Sequence, residues 1–179
     1  MNVMKRLLYI LSLSVILFSC QKEYSYEGGA IPTSTYYITA TVNGTPMAFN
    51  FDGTAAYTLR SGLNALELSS FAVADPSNNT SITLDISYDT NPPGVGTYTD
   101  QTNDYFVTGQ YDFNSQDSVY TAGQVTPSPS PLTITISSIA NNVVTGTFSG
   151  AFYPTSITTG LASADYILIS DGTFRLPLQ

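Results

Sequence analysis

Residues 36–51 read Tyr36-Tyr37-Ile38-Thr39-Ala40-Thr41-Val42-Asn43-Gly44-Thr45-Pro46-Met47-Ala48-Phe49-Asn50-Phe51. Tyr36, Ile38, Ala40 and Val42 alternate with Tyr37, Thr39 and Thr41, a period of two that turns one set toward a core and the other away from it. Asn43 and Gly44 tolerate the positive φ angles of a type I′ turn, so Tyr36–Val42 is expected to pair with Thr45–Phe51 as a hairpin.

The same pattern continues outward from this stretch. Ala55–Arg60, Ala65–Ala74 and Ser81–Tyr88 read as further strands, the last with Ile82, Leu84, Ile86 and Tyr88 on one face and Thr83, Asp85 and Ser87 toward water. In the second half, Tyr105–Phe113, Ser118–Val125, Leu132–Ile139, Val143–Tyr153, Asp165–Ser170 and Thr173–Leu176 follow the same pattern. Residues 75–79, 91–96, 126–131, 154–160 and the pairs Asn141-Asn142 and Asp171-Gly172 read as turns, because they gather Pro, Gly, Asn and Asp. No window carries a helical period. The chain is expected to be all-β, an antiparallel β-sandwich of about ten strands, with a squat up-and-down or calycin-like β-barrel as the alternative.

The N-terminus has a different composition. Lys5 and Arg6 precede an apolar run, Leu7–Phe18, that is too short to cross a bilayer and has the layout of an export signal. Cys20, the single cysteine of the chain, ends the sequence Leu17-Phe18-Ser19-Cys20, which resembles the bacterial lipobox. That resemblance implies a lipidated first mature residue. Residues 1–19 are then the signal peptide, residues 20–35 the lipidated cysteine and a flexible tether, and residues 36–179 a single all-β domain. Gln21-Lys22-Glu23 is similar to the signal that sends some lipoproteins to the cell surface. The expected location is the outer membrane, at its periplasmic face or at the surface, held by the acyl chains.

The whole chain carries a formal net charge of −8. Beyond the signal only Lys22, Arg60 and Arg175 are basic, so a phosphate backbone finds no cationic cluster and nucleic acid is not an expected partner. There is no histidine. With the one cysteine assigned to lipid, Ser-His and Cys-His nucleophiles and His or Cys zinc sites cannot be assembled, and the chain is expected to be non-enzymatic, without a cofactor. Carboxylates remain. Asp100, Asp104, Asp112 and Asp117 border loops with further oxygen donors and are the calcium candidates, against the plainer reading of an acidic solvated rim.

Recognition of a ligand or partner is the remaining class. Tyr105, Tyr111 and Tyr120 are the candidates for stacking on a glycan, although the chain has no tryptophan and strand tyrosines often serve as core. Two other readings are a structural or interaction subunit of an outer-membrane assembly, and a barrel carrying a small apolar ligand in an internal cavity.

Four stretches, taken together and in order, carry a family resemblance. They are Thr39–Phe51 with Thr41-Val42-Asn43-Gly44 and Phe49, Pro93-Gly94-Val95-Gly96-Thr97-Tyr98, Gly146-Thr147-Phe148-Ser149-Gly150, and Ile169-Ser170-Asp171-Gly172-Thr173-Phe174. The chain resembles the small lipoproteins of unknown function of the Bacteroidota. The resemblance implies an all-β fold and supplies no catalytic residue.

Overall fold

A computed structural model describes residues 35–60, 62–72, 80–99, 104–113, 118–123, 130–156 and 165–179. The strands are β1 (Tyr37–Val42), β2 (Thr45–Phe49), β3 (Phe51–Arg60), β4 (Leu63–Phe71), β5 (Ser81–Tyr88), β6 (Gly96–Thr99), β7 (Tyr105–Asp112), β8 (Ser118–Ala122), β9 (Thr133–Ala140), β10 (Val143–Ser156) and β11 (Ile167–Pro177). Among the described residues there is no helix. The signal peptide, Cys20 and nearly all of the tether lie outside the described residues.

Every ladder between strands is antiparallel, in the spatial order β2-β1-β11-β10-β8-β7-β5-β4-β3, with β9 and β6 continuing from the first half of β10. Apart from the β6 and β9 excursion, spatial neighbours follow chain order, as in an up-and-down barrel. β10 joins the two layers: Val143–Ser149 pairs with β9, and Tyr153–Ser156 pairs with β8. The opposite seam, between β11 and β3, is bridged at Ala55 and Leu178, where the Gln179 amide donates to the Ala55 carbonyl at 2.9 Å. The expected all-β antiparallel fold is present. Its two layers form one nearly closed path, the barrel-like form of that expectation.

The opening hairpin turns where the sequence predicts, although its second strand ends at Phe49 and Phe51 already opens β3. Val42 pairs with Thr45 across Asn43 (φ 46°) and Gly44 (φ 80°). Asn141 (φ 52°) and Asn142 (φ 56°) make an equivalent two-residue connection between Ala140 and Val143.

Three elements differ from expectation. Asp171-Gly172 does not end a strand; β11 runs through it. Between Thr173 and Ser170 the strand has one residue more than β1 opposite, and the same excess appears against β10, so Asp171 (φ 52°) is a bulge shared by two ladders. Asp52-Gly53 repeats the device in β3, with Asp52 at φ 49° and an extra residue relative to β4. Second, β10 continues past Pro154 to Ser156; its ladder to β11 has already ended at Phe152, so the proline removes no donor from that side. Third, β6 begins at Gly96, the last of the residues read as a turn. Its four residues are too few to display a period, and only β9 pairs with it.

The inward-facing residues pack the interior. Ile38, Phe49, Leu66, Leu84, Ile86, Ile134 and Phe152 are fully or almost fully buried. Asp85, expected to face water, is only 8% exposed; it lies in the cross-strand row Glu67–Asp85–Thr108.

Candidate functional site

The outward face of β1, β11, β10, β9 and β6 carries hydroxyls in register. Thr39 pairs with Thr173, Thr173 with Thr147, Thr147 with Thr135 and Thr135 with Thr97, giving one threonine row across five strands. The row arises because each threonine is adjacent in sequence to a buried residue: Ile38, Phe174, Phe148, Ile134 or Tyr98. Burying that neighbour turns the threonine outward. A second row runs alongside through Thr99, Thr133 and Ser149, with Thr41 and Ser170 paired beyond the bulge.

The bulge opens a hollow of about 370 Å³ in this face. Thr133, Thr135, Thr147, Ser149 and Thr173 supply hydroxyls around it, and Asp171 supplies the single charge. Phe148 and Gly172 form its floor. A Cβ on Gly172 would stand 2.5 Å from the Phe148 carbonyl oxygen and 2.6 Å from its ring, so only glycine lets β11 lie this close to β10. Asp171 is exposed and accepts a hydrogen bond from Ser170 Oγ at 3.0 Å through Oδ2. The Thr39 and Thr173 hydroxyls bond each other at 2.7 Å, and those of Thr97 and Thr135 at 3.0 Å. No lining residue is cationic. The chemistry offered is that of hydroxyls, which both donate and accept, around one carboxylate acceptor.

The tyrosine candidates are positioned differently. Tyr111 and Tyr120 are cross-strand partners with ring centroids 6.1 Å apart. Tyr111 is 4% exposed, with Phe49 edge-on at 6.2 Å, so its faces are covered by protein and it is core, not a sugar platform. Burial, with Tyr120 beside it, raises the Tyr111 hydroxyl above the usual phenol value. Tyr120 is partly buried against the same core. Tyr105 lies at the other end of β7, six residues and about 20 Å away, so the three rings do not make one surface.

Tyr105 instead joins a belt that sequence reasoning did not assemble. It pairs with Tyr88, and its ring meets Tyr98 edge-on at 4.8 Å; Tyr88 meets Tyr57 in the same way at 6.4 Å. Two hydroxyls of the belt hold the loop before β6. Tyr98 donates to the Gly94 carbonyl at 2.9 Å and Tyr57 to the Pro93 carbonyl at 3.3 Å. Burial raises both hydroxyls above the ordinary phenol value, and the neighbouring Tyr88 adds to the rise at Tyr57.

Of the calcium candidates, Asp100 and Asp117 lie outside the described residues. Asp104 is exposed before β7, and Asp112 ends that strand about 26 Å further along, so the two cannot share an ion. Asp112 Oδ2 accepts from Gln110 Nε2 at 2.9 Å and Ser81 Oγ at 3.3 Å. Among the described residues no three His, Cys, Asp or Glu side chains come together.

Packing is tight at two glycines of the inner wall. A Cβ on Gly109 would meet the Phe152 ring at 2.8 Å and Leu132 at 3.1 Å; one on Gly146 would collide with the Phe174 ring and the Thr135 carbonyl. Side chains and backbone therefore fill the space against these two glycines, and the hollow lies on the threonine face.

In comparisons with known proteins, no family model, no curated protein and no solved structure matches this chain.

Proposed function

We propose that this protein is a lipid-anchored, non-enzymatic recognition domain of the bacterial outer membrane, on its periplasmic face or at the cell surface, and that its ligand is a glycan. The observation that carries the reading is the hollow of about 370 Å³ ringed by threonine and serine hydroxyls with one carboxylate. Sugar hydroxyls need partners that donate and accept at close spacing, and this face provides both, fixed on strands and not on loops. The site thus differs from the tyrosine platform the sequence suggests. The lipobox-like sequence ending in Cys20 supports the location, and the lack of histidine supports binding in place of catalysis.

Calorimetry with oligosaccharides on the mature domain tests the reading. Binding is expected with the natural residues, and Asp171→Asn, which keeps an acceptor oxygen and loses its charge, should weaken it about five- to tenfold, the difference between a charged and a neutral acceptor in one hydrogen bond. Unchanged affinity in that variant would remove the hollow from consideration. Cys20→Ala should move the protein from the membrane to the soluble fraction; retention in the membrane would overturn the anchor.

A further inference from the structure

We propose that the glycan is neutral and linear, and that it lies across the strands along Thr97–Thr135–Thr147–Thr173–Thr39, with the hollow as its central subsite. This rests on the glycan reading above and adds its direction, length and charge.

The direction follows from register. A row of residues directly opposite one another on five antiparallel strands repeats about every 4.8 Å, so the hydroxyls from Thr97 to Thr39 extend over about 19 Å. That exceeds one sugar ring and suits a chain of several. The hollow occupies only the middle of the row, between β9 and β11, and the threonine pairs on either side continue it. Each pair keeps binding capacity. One O–H is used between its two members, leaving the other O–H and further lone pairs for a ligand. The parallel row of Thr99, Thr133 and Ser149 doubles the width available to a pyranose ring.

The charge follows from composition. Among the described residues the only charge lining the hollow is negative, and the chain carries −8 overall, so uronate, sulfate or phosphate groups seated there would be repelled; Arg175, one outward position past Thr173 on β11, lies outside that lining. The mode of recognition follows too. Phe148, the one aromatic at the hollow, is 3% exposed and forms floor, so contacts are made by hydroxyls and not by stacking. A net hydrogen bond contributes only about 1 kcal/mol, and affinity must therefore accumulate along the chain.

Calorimetry with cellobiose, cellohexaose, mannohexaose and hexagalacturonate on the mature domain, and on Thr97→Val and Thr39→Val, decides the matter. Valine keeps the branched shape and the strand preference and removes the hydroxyl. At least one neutral hexasaccharide should bind, about tenfold or more tighter than the disaccharide, and each valine variant should weaken it about three- to fivefold with the disaccharide unaffected. An unchanged melting temperature shows that the variants fold. Equal affinity for hexasaccharide and disaccharide, or full affinity in both valine variants, would overturn the extended row while leaving the hollow as a glycan site. Preference for hexagalacturonate would overturn the assignment of charge. Binding to none of the four sugars would overturn this inference and the glycan reading together.

Discussion

The tyrosine belt and the threonine face are both built from strand residues, and both present the hydroxyl chemistry that glycan recognition uses. In the belt, Tyr57 and Tyr98 donate to the Pro93 and Gly94 carbonyls, and their rings meet Tyr88 and Tyr105. The donors and much of the ring area are engaged in holding the β5–β6 loop. On the face, the threonines project outward beside buried neighbours and surround a hollow. The difference teaches that strand parity, more than residue type, decides which side chains remain for a ligand. Large rings on the inward side stabilise the fold, and small hydroxyls on the outward side keep donor and acceptor capacity for a ligand.

If that division is right, changes in the belt alter stability and changes on the face alter binding. Tyr98→Ala should have the largest effect, removing a ring that is only 7% exposed; a loss of about 3 kcal/mol by urea unfolding is expected, with disaccharide affinity at the hollow retained in the folded fraction. Gly172→Ala tests the face together with the core beneath it, because its methyl would press on Phe148 under the hollow. A loss of about 1–3 kcal/mol, accompanied by weaker glycan binding, is expected from denaturant curves and calorimetry.

The belt should also respond to alkali. Tyr57 and Tyr98 hold their protons to higher pH in the folded chain than in the unfolded one. Their contribution to stability is therefore complete below about pH 10 and is lost as pH rises through the folded-state values. Melting temperatures followed from pH 8 upward should fall beyond about pH 10, and Tyr57→Phe, which loses one exposed-side hydrogen bond worth roughly 0.5–1 kcal/mol, should flatten that fall. The smallest effect on stability belongs to the face. Thr147→Val should change unfolding by less than about 0.5 kcal/mol while reducing glycan affinity, and a large loss of stability there would erase the distinction between the regions.

Much of this fold is legible in the chain. Asn43-Gly44 reads as a two-residue hairpin turn and Asn141-Asn142 as a turn, and both act as two-residue hairpin connections, since both residues of each pair adopt the positive φ that such a turn requires. Asp171-Gly172 carries nearly the same local signal and does something else. Its positive φ serves a bulge within β11, because the strands on both sides continue past it and supply partners for the residues beyond. Local sequence specifies that the backbone may adopt such an angle; it does not specify whether neighbouring strands persist. The candidate site was less legible for the same reason. Thr39, Thr97, Thr135, Thr147 and Thr173 lie on five strands separated by as many as 134 residues, from Thr39 to Thr173, and nothing local marks them as neighbours. Tyr105, Tyr111 and Tyr120 stood out by type, yet they divide between the belt and the core.

By itself, the sequence determined the strand class, most strand positions, the hairpin turns and the absence of histidine chemistry, because alternation and turn preference act over a few residues. The tertiary structure alone decided that the layers join through β10, that an Asp-Gly pair bends β11 without ending it, and that five distant threonines share one row. Those outcomes depend on register between strands far apart in the chain, which is fixed only when the inward residues of all of them pack into one core.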